Sequence, residues 1–380
     1  MKRGILFCGV FFSIIILCAQ PYAIGHKQKT YIDIARSNRS IVAEIYYPAN
    51  SAGDNVSVAS GKFPVIAFGH GFIMETSAYD VVWKALVPKG YILILPTTES
   101  SISPSHLDFG KDLSYLIAAL KKEGKQPTSE FFNTIANACA TMGHSMGGGA
   151  AFLAMSLDTS ITAMVTFAAA VTNPSSIAAA KNINKPSLVF SASADCVAPA
   201  ASHQTPMYDS LASNCKTFVS ITGGSHCQFA NNNVACSLGE VICFPKASVN
   251  SGEQQKTTFD LMIHWLNFYL KNEVSGATDF QLLITGGKGI SSRQNCSLNS
   301  NTGIINEMTT GLNYYPNPSF QEVTVFMPTE GQIDVYSPAG QLTFSKRASI
   351  GHTLIPLALG TNFLRITCGE RVQTFIVLGE

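Results

Sequence analysis

Ser145 lies in Gly143-His144-Ser145-Met146-Gly147, between an apolar run at 139–142 and a helix-like stretch at 148–155. Glycines on both sides let a strand turn sharply into a helix, with the serine hydroxyl thrust clear of the backbone. A hydroxyl so placed reaches both a base and a carbonyl carbon. An alcohol of ordinary pKa is a poor nucleophile, so it needs an imidazole as base and a carboxylate that fixes the tautomer and stabilises the imidazolium. Asp195 follows the apolar run 187–190 across Ser191-Ala192-Ser193-Ala194 and precedes Cys196-Val197-Ala198-Pro199. His226 follows the run 218–221 through Thr222-Gly223-Gly224-Ser225. Ser145, Asp195 and His226 are thus expected at one sheet edge as a catalytic triad. An acyl-transfer intermediate also needs backbone donors for its oxyanion, each worth about 3 kcal/mol. The N–H of Met146 and that of Phe72, in Gly69-His70-Gly71-Phe72, are the expected pair. Gly71, Phe72, His144, Met146 and Val197 are expected to line the substrate cleft.

Other candidates fit less well. Asp209 belongs to a helical stretch and is expected to face solvent, and His203 and His264 fall in helical surroundings that favour structural or solvated roles. His70 and His106 lie on loops at the active edge, where substrate contact and a purely structural role are both open.

The elements that must position these groups are legible as short apolar runs. Ile41, Ala43, Ile45 and Tyr47 alternate as a strand should, after an earlier strand near 31–34. Runs at 64–68 and 91–95, closed by Gly69 and Pro96, suit buried parallel strands, with others at 139–142, 163–167, 188–191 and 217–221. Leu113, Leu116, Ile117 and Leu120 mark one face of a helix, and Phe259, Met262, Ile263, Leu266 and Leu270 mark a closing one. Alternating strands and helices predict an α/β class, a doubly wound, mostly parallel sheet with ligands at the carboxyl ends of its strands.

The chain of 380 residues, 46% hydrophobic, is long enough for a large domain and a smaller one. A net charge of +1 with 13% charged residues provides no basic patch for nucleic acid and no tail for anionic lipid. Lys2 and Arg3, an apolar stretch at 5–17 and small or polar residues at 18–23 read as a signal peptide at 1–23, cleaved between 19 and 23. The stretch is too short for a membrane span, and the bulky Leu17 disfavours a lipidated Cys18. Eight cysteines remain (Cys139, Cys196, Cys215, Cys227, Cys236, Cys243, Cys296 and Cys368), which in an exported chain suggests disulfides. Cys236 and Cys243, close together in a turn-rich stretch, are the expected pair. A zinc site at His226 lacks any C-x-x-C spacing, and no cofactor is implied. The catalytic domain is expected at 24–271, a domain edge and linker at 272–312, and a small C-terminal β-sandwich at 313–380.

Residues 31–271 resemble the α/β-hydrolases, and within them the cutinase-like polyester hydrolases and the related dienelactone-hydrolase and chlorophyllase-like group. Gly71-Phe72 matches their oxyanion turn, Gly143-His144-Ser145-Met146-Gly147-Gly148-Gly149 their elbow, Asp195 with Val197-Ala198-Pro199 their acid loop, and Gly223-Gly224-Ser225-His226 their histidine loop. The order Ser, acid, His is theirs as well, and Asp260, which follows His226, breaks it. Two departures bear on substrate. Those enzymes often carry a Trp on the loop after the strand that follows the elbow helix, whereas Ala170-Val171-Thr172-Asn173-Pro174-Ser175 has no aromatic, and the segment from Cys227 to Cys243 also differs. The spacing among Ser145, Asp195 and His226 leaves no room for a lid domain, so an open cleft is expected.

The tail resembles the sorting domain of type IX secretion substrates through Tyr315-Pro316-Asn317-Pro318-Ser319, the strand and turn 333–340, the turn Leu357-Ala358-Leu359-Gly360 and the terminal Phe375-Ile376-Val377-Leu378. That resemblance implies the export machinery as a partner and a protein carried across the outer membrane, then released or held on the cell surface. A small adhesion or carbohydrate-binding module is the other reading. Together these features imply a secreted serine hydrolase of carboxylic esters, acting on bulky or polymeric substrates of polyester, cutin-like or lipid type. An amidase or peptidase on the same triad, and a non-catalytic binding protein on a hydrolase scaffold, are the alternatives.

Overall fold

The computed structural model describes residues 21–296 and 298, then 313–315, 322–327, 330–349, 351–368 and 371–379. The expected signal peptide falls outside the described residues up to position 20. The chain divides into two compact units, Met1–Ser300 and Asn301–Glu380.

The first unit is built on a ten-stranded sheet. Strands β1 (Ala23–Asp33), β2 (Arg39–Ala49) and the short β3 (Gly53–Asp54) form one edge. The centre holds β4 (Phe63–Gly69), β5 (Ile92–Pro96), β6 (Ile135–His144), β7 (Ala163–Phe167), β8 (Ser187–Ala192) and β9 (Lys216–Ile221). These six run parallel in the order β9-β8-β7-β6-β4-β5, so the sheet reverses its winding beside the elbow strand β6. β4, β5, β7 and β8 are buried along their whole length, as continuous apolar runs covered on both faces must be. β2 is antiparallel to β5 and sends Ile41, Ala43, Ile45 and Tyr47 inward. β1 pairs with β2 from Ala23↔Ala49 to Asp33↔Arg39, starting well before the strand expected near 31–34.

Helices cover both faces. On one, α2 (His106–Glu123) and α3 (Met146–Leu157) bring Phe109, Leu113, Leu116, Ile117, Leu120 and Phe152 into the core, with α4 (Ser176–Ala180) and α5 (Gln204–Ser210) beside them. On the other lie α1 (Asp80–Leu86), α7 (Ser251–Lys271) and α8 (Val274–Gly286), with Trp83, Leu261, Trp265 and Phe280 in a second core cluster. Asn250 and Glu253 form a reciprocal capping box at the start of α7. The remaining helix, α6 (Val234–Glu240), lies in the segment after His226 and buries none of its residues. Among the described residues no helix is long and apolar enough to cross a membrane.

Beyond Lys271, where a domain edge and linker are expected, the chain adds α8 and then β10 (Ile290–Gln294), which pairs antiparallel with β9. A disulfide between Cys215 and Cys296 fastens that edge. The expected Cys236–Cys243 bridge is not formed. Cys236 pairs with Cys227, and Cys243 pairs with Cys196. Nearness in sequence misleads here because Cys236 lies on α6 and Cys243 beyond its end, so the two thiols reach different partners. Cys139 is a free, buried thiol whose Sγ accepts from Lys121 Nζ at 3.0 Å.

The second unit is all antiparallel strand. β11 (Asn313–Tyr315), β12 (Glu322–Met327) and β15 (Gly351–Pro356) make a three-stranded sheet, and β14 (Leu342–Ala348), β13 (Gly331–Tyr336), β16 (Gly360–Cys368) and β17 (Arg371–Gly379) make a four-stranded one. Val323, Val325, Ile333, Val335, Leu364 and Ile366 draw one apolar cluster from both.

One edge contact of the first unit is sensitive to pH. His26 on β1 holds Asp54 Oδ1 and Glu44 Oε2, each at 2.7 Å. Burial pulls its pKa down, but the hydrogen bonds and charges of Asp54 and Glu44 outweigh burial and raise it above 6.5. The folded state therefore binds this proton more tightly than the unfolded chain, so the stabilisation is complete below 6.5 and is lost as pH rises through the raised value. The melting temperature of His26→Gln is expected to fall below that of the wild type at a pH of about 5.5 and to match it at about 9. An equal difference at both values would refute this.

Candidate active site

Ser145 links β6 to α3 with φ 53° and ψ −120°, a conformation that a side chain rarely adopts. Neighbouring backbone holds it there. Its N–H donates to Phe167 O at 3.0 Å, and its carbonyl accepts from Gly149 and Ala170. The elbow also needs its glycines because the backbone of β4 approaches closely. A Cβ at Gly147 would stand 2.1 Å from Gly69 O, and one at Gly143 would stand 2.3 Å from Gly147 O.

His226 follows β9 and Asp195 follows β8, so both occupy the strand-end edge to which β6 delivers Ser145. His226 Nδ1 is 2.7 Å from Asp195 Oδ2 in a buried pair. Asp195 Oδ1 accepts the N–H groups of Val197 (2.9 Å) and Ala198 (2.8 Å), so both carboxylate oxygens are engaged. The carboxylate thereby keeps the imidazole proton on Nδ1 and leaves Nε2 as the nitrogen able to accept one. Ser145 Oγ makes no hydrogen bond to His226 among the described residues. In unliganded sites that bond is often long and tightens with substrate.

The loop bearing His226 is fixed by residues that the sequence reading passed over. Gln254, buried on α7, accepts from Ser225 N–H and donates to Ser225 O, both at 2.9 Å. Glu240 Oε1 accepts the Cys227 N–H at 2.8 Å. A polar residue standing in line with Thr258 and Leu261 on an apolar helix face was the available signal for Gln254.

At the turn expected to supply the oxyanion donor, the Gly71 carbonyl accepts from Met74 N–H at 3.0 Å and faces His70 Nδ1 at 2.8 Å. In a trans peptide this sends the Phe72 N–H to the opposite side. Neither that N–H nor the Met146 N–H, at the start of α3, has an acceptor among the described residues. Phe72 and Val197 are exposed apolar side chains, whereas the Met146 side chain, expected beside them in the cleft, is buried in the core.

The expectation for His144 needs correction. His144, expected to line the cleft, is fully buried, with Nδ1 2.9 Å from Tyr79 Oη and Nε2 3.0 Å from His226 O. As the last residue of β6, it points into the packing behind the base loop, with its ring centroid 4.7 Å from that of His226. For His70, where both roles were open, the structural one fits: it is buried, its ring faces the carbonyls of Gly71 and Thr98, and burial lowers its pKa. Asp209 and Asp260 engage Arg293 and Lys256 at the surface, and His264 faces Asp279 at 3.4 Å.

The family model described as PET hydrolase-like matches residues 23–253, which contain Ser145, Asp195, His226, Phe72 and Met146. The chain belongs to the PET hydrolase-like family. It is also similar to Cutinase est1 of Thermobifida alba, with 26% identity over 238 residues, covering 58% of this chain and 74% of that protein.

In this PET hydrolase-like chain two histidines hold the loop after β7. Val171 N–H donates to His203 Nδ1 at 3.0 Å, and Asn173 N–H donates to His106 Nδ1 at 3.1 Å. A structural role was open for both histidines, but these partners belong to elements distant in sequence. Burial, with the charge of His226, lowers the His203 pKa against the opposing pull of Asp195, which favours the neutral ring that can accept. His203→Ala removes one of the two anchors. About 1 kcal/mol of lost hydrogen bonding predicts a KM raised about fivefold on a bulky ester, with kcat nearly unchanged. Steady-state kinetics at neutral pH would show it, and an unchanged KM would contradict it.

Proposed function

We propose that this protein is an exported serine hydrolase of carboxylic esters, working through an acyl-enzyme on bulky or polymeric substrates of polyester, cutin-like or lipid type. The observation that carries the reading is the buried 2.7 Å contact of His226 Nδ1 with Asp195 Oδ2, with Asp195 Oδ1 filled by two amides, at the sheet edge where the elbow presents Ser145. Membership of the PET hydrolase-like family and similarity to a cutinase support the ester class.

In the proposed cycle, His226 Nε2 takes the Ser145 proton as Oγ bonds to the ester carbonyl carbon. The negative charge that forms on the carbonyl oxygen is held by the N–H groups of Phe72 and Met146. Collapse expels the alcohol, which leaves with the proton from His226, and the acyl group stays on Oγ. Water then attacks the acyl carbon, giving its proton to His226; the acid departs and Oγ recovers a proton. Phe72 and Val197 border the cleft with apolar surface, and each Å2 of such surface covered by substrate contributes about 25 cal/mol before the losses of binding.

Export is supported by three disulfides, which persist in oxidising compartments. The Tyr22 ring packs on Phe63 and its N–H bonds Pro88 O, so cleavage on the Ala19 side keeps a contact that cleavage after Ala23 would remove. The type IX-like tail makes passage across the outer membrane, by that machinery, part of the proposal. The chemistry is tested by turnover of matched p-nitrophenyl esters and p-nitroanilides, together with triglyceride and an aromatic polyester film. Ester turnover far exceeding amide turnover is expected. Faster amide cleavage would turn the reading to an amidase, and no turnover of any substrate would leave a binding protein. Deleting residues 313–380 in the native host is expected to keep the protein inside the outer membrane, and undiminished release would refute the export route.

A further inference from the structure

Tyr79 ends a single helical turn, Thr76–Tyr79, and is completely buried, yet its hydroxyl lies among three polar atoms. Tyr79 Oη accepts the Gly71 N–H at 2.7 Å, and lies 2.9 Å from His144 Nδ1 and 3.2 Å from Met74 Sδ. The hydroxyl has one proton to give. An imidazole nitrogen is a far better acceptor than a thioether, so the proton goes to His144 Nδ1. That fixes the His144 proton on Nε2, which donates to the His226 carbonyl at 3.0 Å. Burial holds the His144 pKa well below 6.5 and pushes the tyrosine hydroxyl's up, so both groups stay neutral and the order of donors has one solution.

The chain of bonds therefore runs in one direction, from Gly71 N–H to Tyr79, from Tyr79 to His144, and from His144 to the backbone of His226. Its two ends belong to the turn that presents the Phe72 N–H and to the residue read as the base. We propose that Tyr79 is a positioning residue that, through His144, holds the oxyanion turn and the base loop in register with each other. The inference rests on the triad and oxyanion reading above, and it adds a buried residue outside the groups that meet substrate.

Tyr79→Phe keeps the ring and deletes the hydroxyl, leaving Gly71 N–H without its acceptor and His144 Nδ1 without its donor. His144→Gln retains a side-chain amide able to donate to the His226 carbonyl but removes the Nδ1 acceptor. With a p-nitrophenyl ester, each variant is expected to lower kcat about 10- to 100-fold with KM within about twofold. The double variant should lose no more than the weaker single one, because both cut the same chain. Nitrogen-15 NMR should show His144 as the Nε2–H tautomer in the wild type and a tautomer mixture in Tyr79→Phe. Multiplying losses in the double variant, an unchanged kcat, or an Nδ1–H tautomer in the wild type would overturn the proposal. If Tyr79→Phe does not fold, the kcat and KM of His144→Gln and the wild-type tautomer decide. Failure of the underlying reading looks different: the wild type itself would then show no Ser145-dependent turnover.

Discussion

Ser145→Ala is expected to lower kcat on a p-nitrophenyl ester by about 100,000- to 1,000,000-fold, the scale on which a triad acts as a unit. The same substitution should abolish labelling by a fluorophosphonate. Stability should barely change, because the constraints on this residue are backbone ones: the bonds to Phe167, Gly149 and Ala170 do not involve the hydroxyl. Alanine tolerates φ 53° no worse than serine does. Folding and catalysis are therefore separable at this position, and thermal unfolding measured beside the kinetics will show it. Labelling that persists unchanged in the variant would remove Ser145 from the mechanism.

Asp195→Asn should cost about 10,000-fold in kcat, by an argument particular to this site. Asp195 Oδ1 already accepts two backbone N–H groups, from Val197 and Ala198. An asparagine will keep its oxygen on those donors and turn its NH2 toward His226 Nδ1. The imidazole then carries its proton on Nε2 and cannot take one from the serine. A loss in kcat with a nearly constant KM, and a switched His226 tautomer in nitrogen-15 spectra, are the expected results. A loss smaller than about tenfold would mean that the carboxylate neither orients nor stabilises the base.

The sequence disclosed those parts of the fold and site whose determinants are local. Each residue of the Asp195–His226 pair stands a few positions beyond an apolar run, and the elbow around Ser145 declares itself through its glycines. The six parallel strands were legible because burial on both faces, complete in β4, β5, β7 and β8 and partial in β6 and β9, leaves short apolar runs. β10 was not, since Ser291, Ser292 and Arg293 form a polar edge with no such imprint. Gln254, Tyr79, His106 and His203 act through contacts between elements far apart in the chain, which no local pattern records. His144 was read as lining the cleft because it adjoins Ser145, but successive side chains on a strand leave on opposite faces, and this one turns inward. The Cys236–Cys243 pairing failed for a related reason, since proximity along the chain was taken for proximity in space.

The residue after Asp195 and the residue after His226 are both half-cystines, and both bridges end on the one segment around α6. That segment exposes Val234, Leu238, Val241, Ile242 and Phe244. Changes at Leu238, Val241 and Ile242, between the two covalent anchors, can accumulate, or be selected in a library, while Asp195 and His226 keep their moorings and Glu240 keeps its bond to Cys227. The lip beside the reaction centre is thus the place where descendants of this scaffold can diversify fastest without first breaking their chemistry.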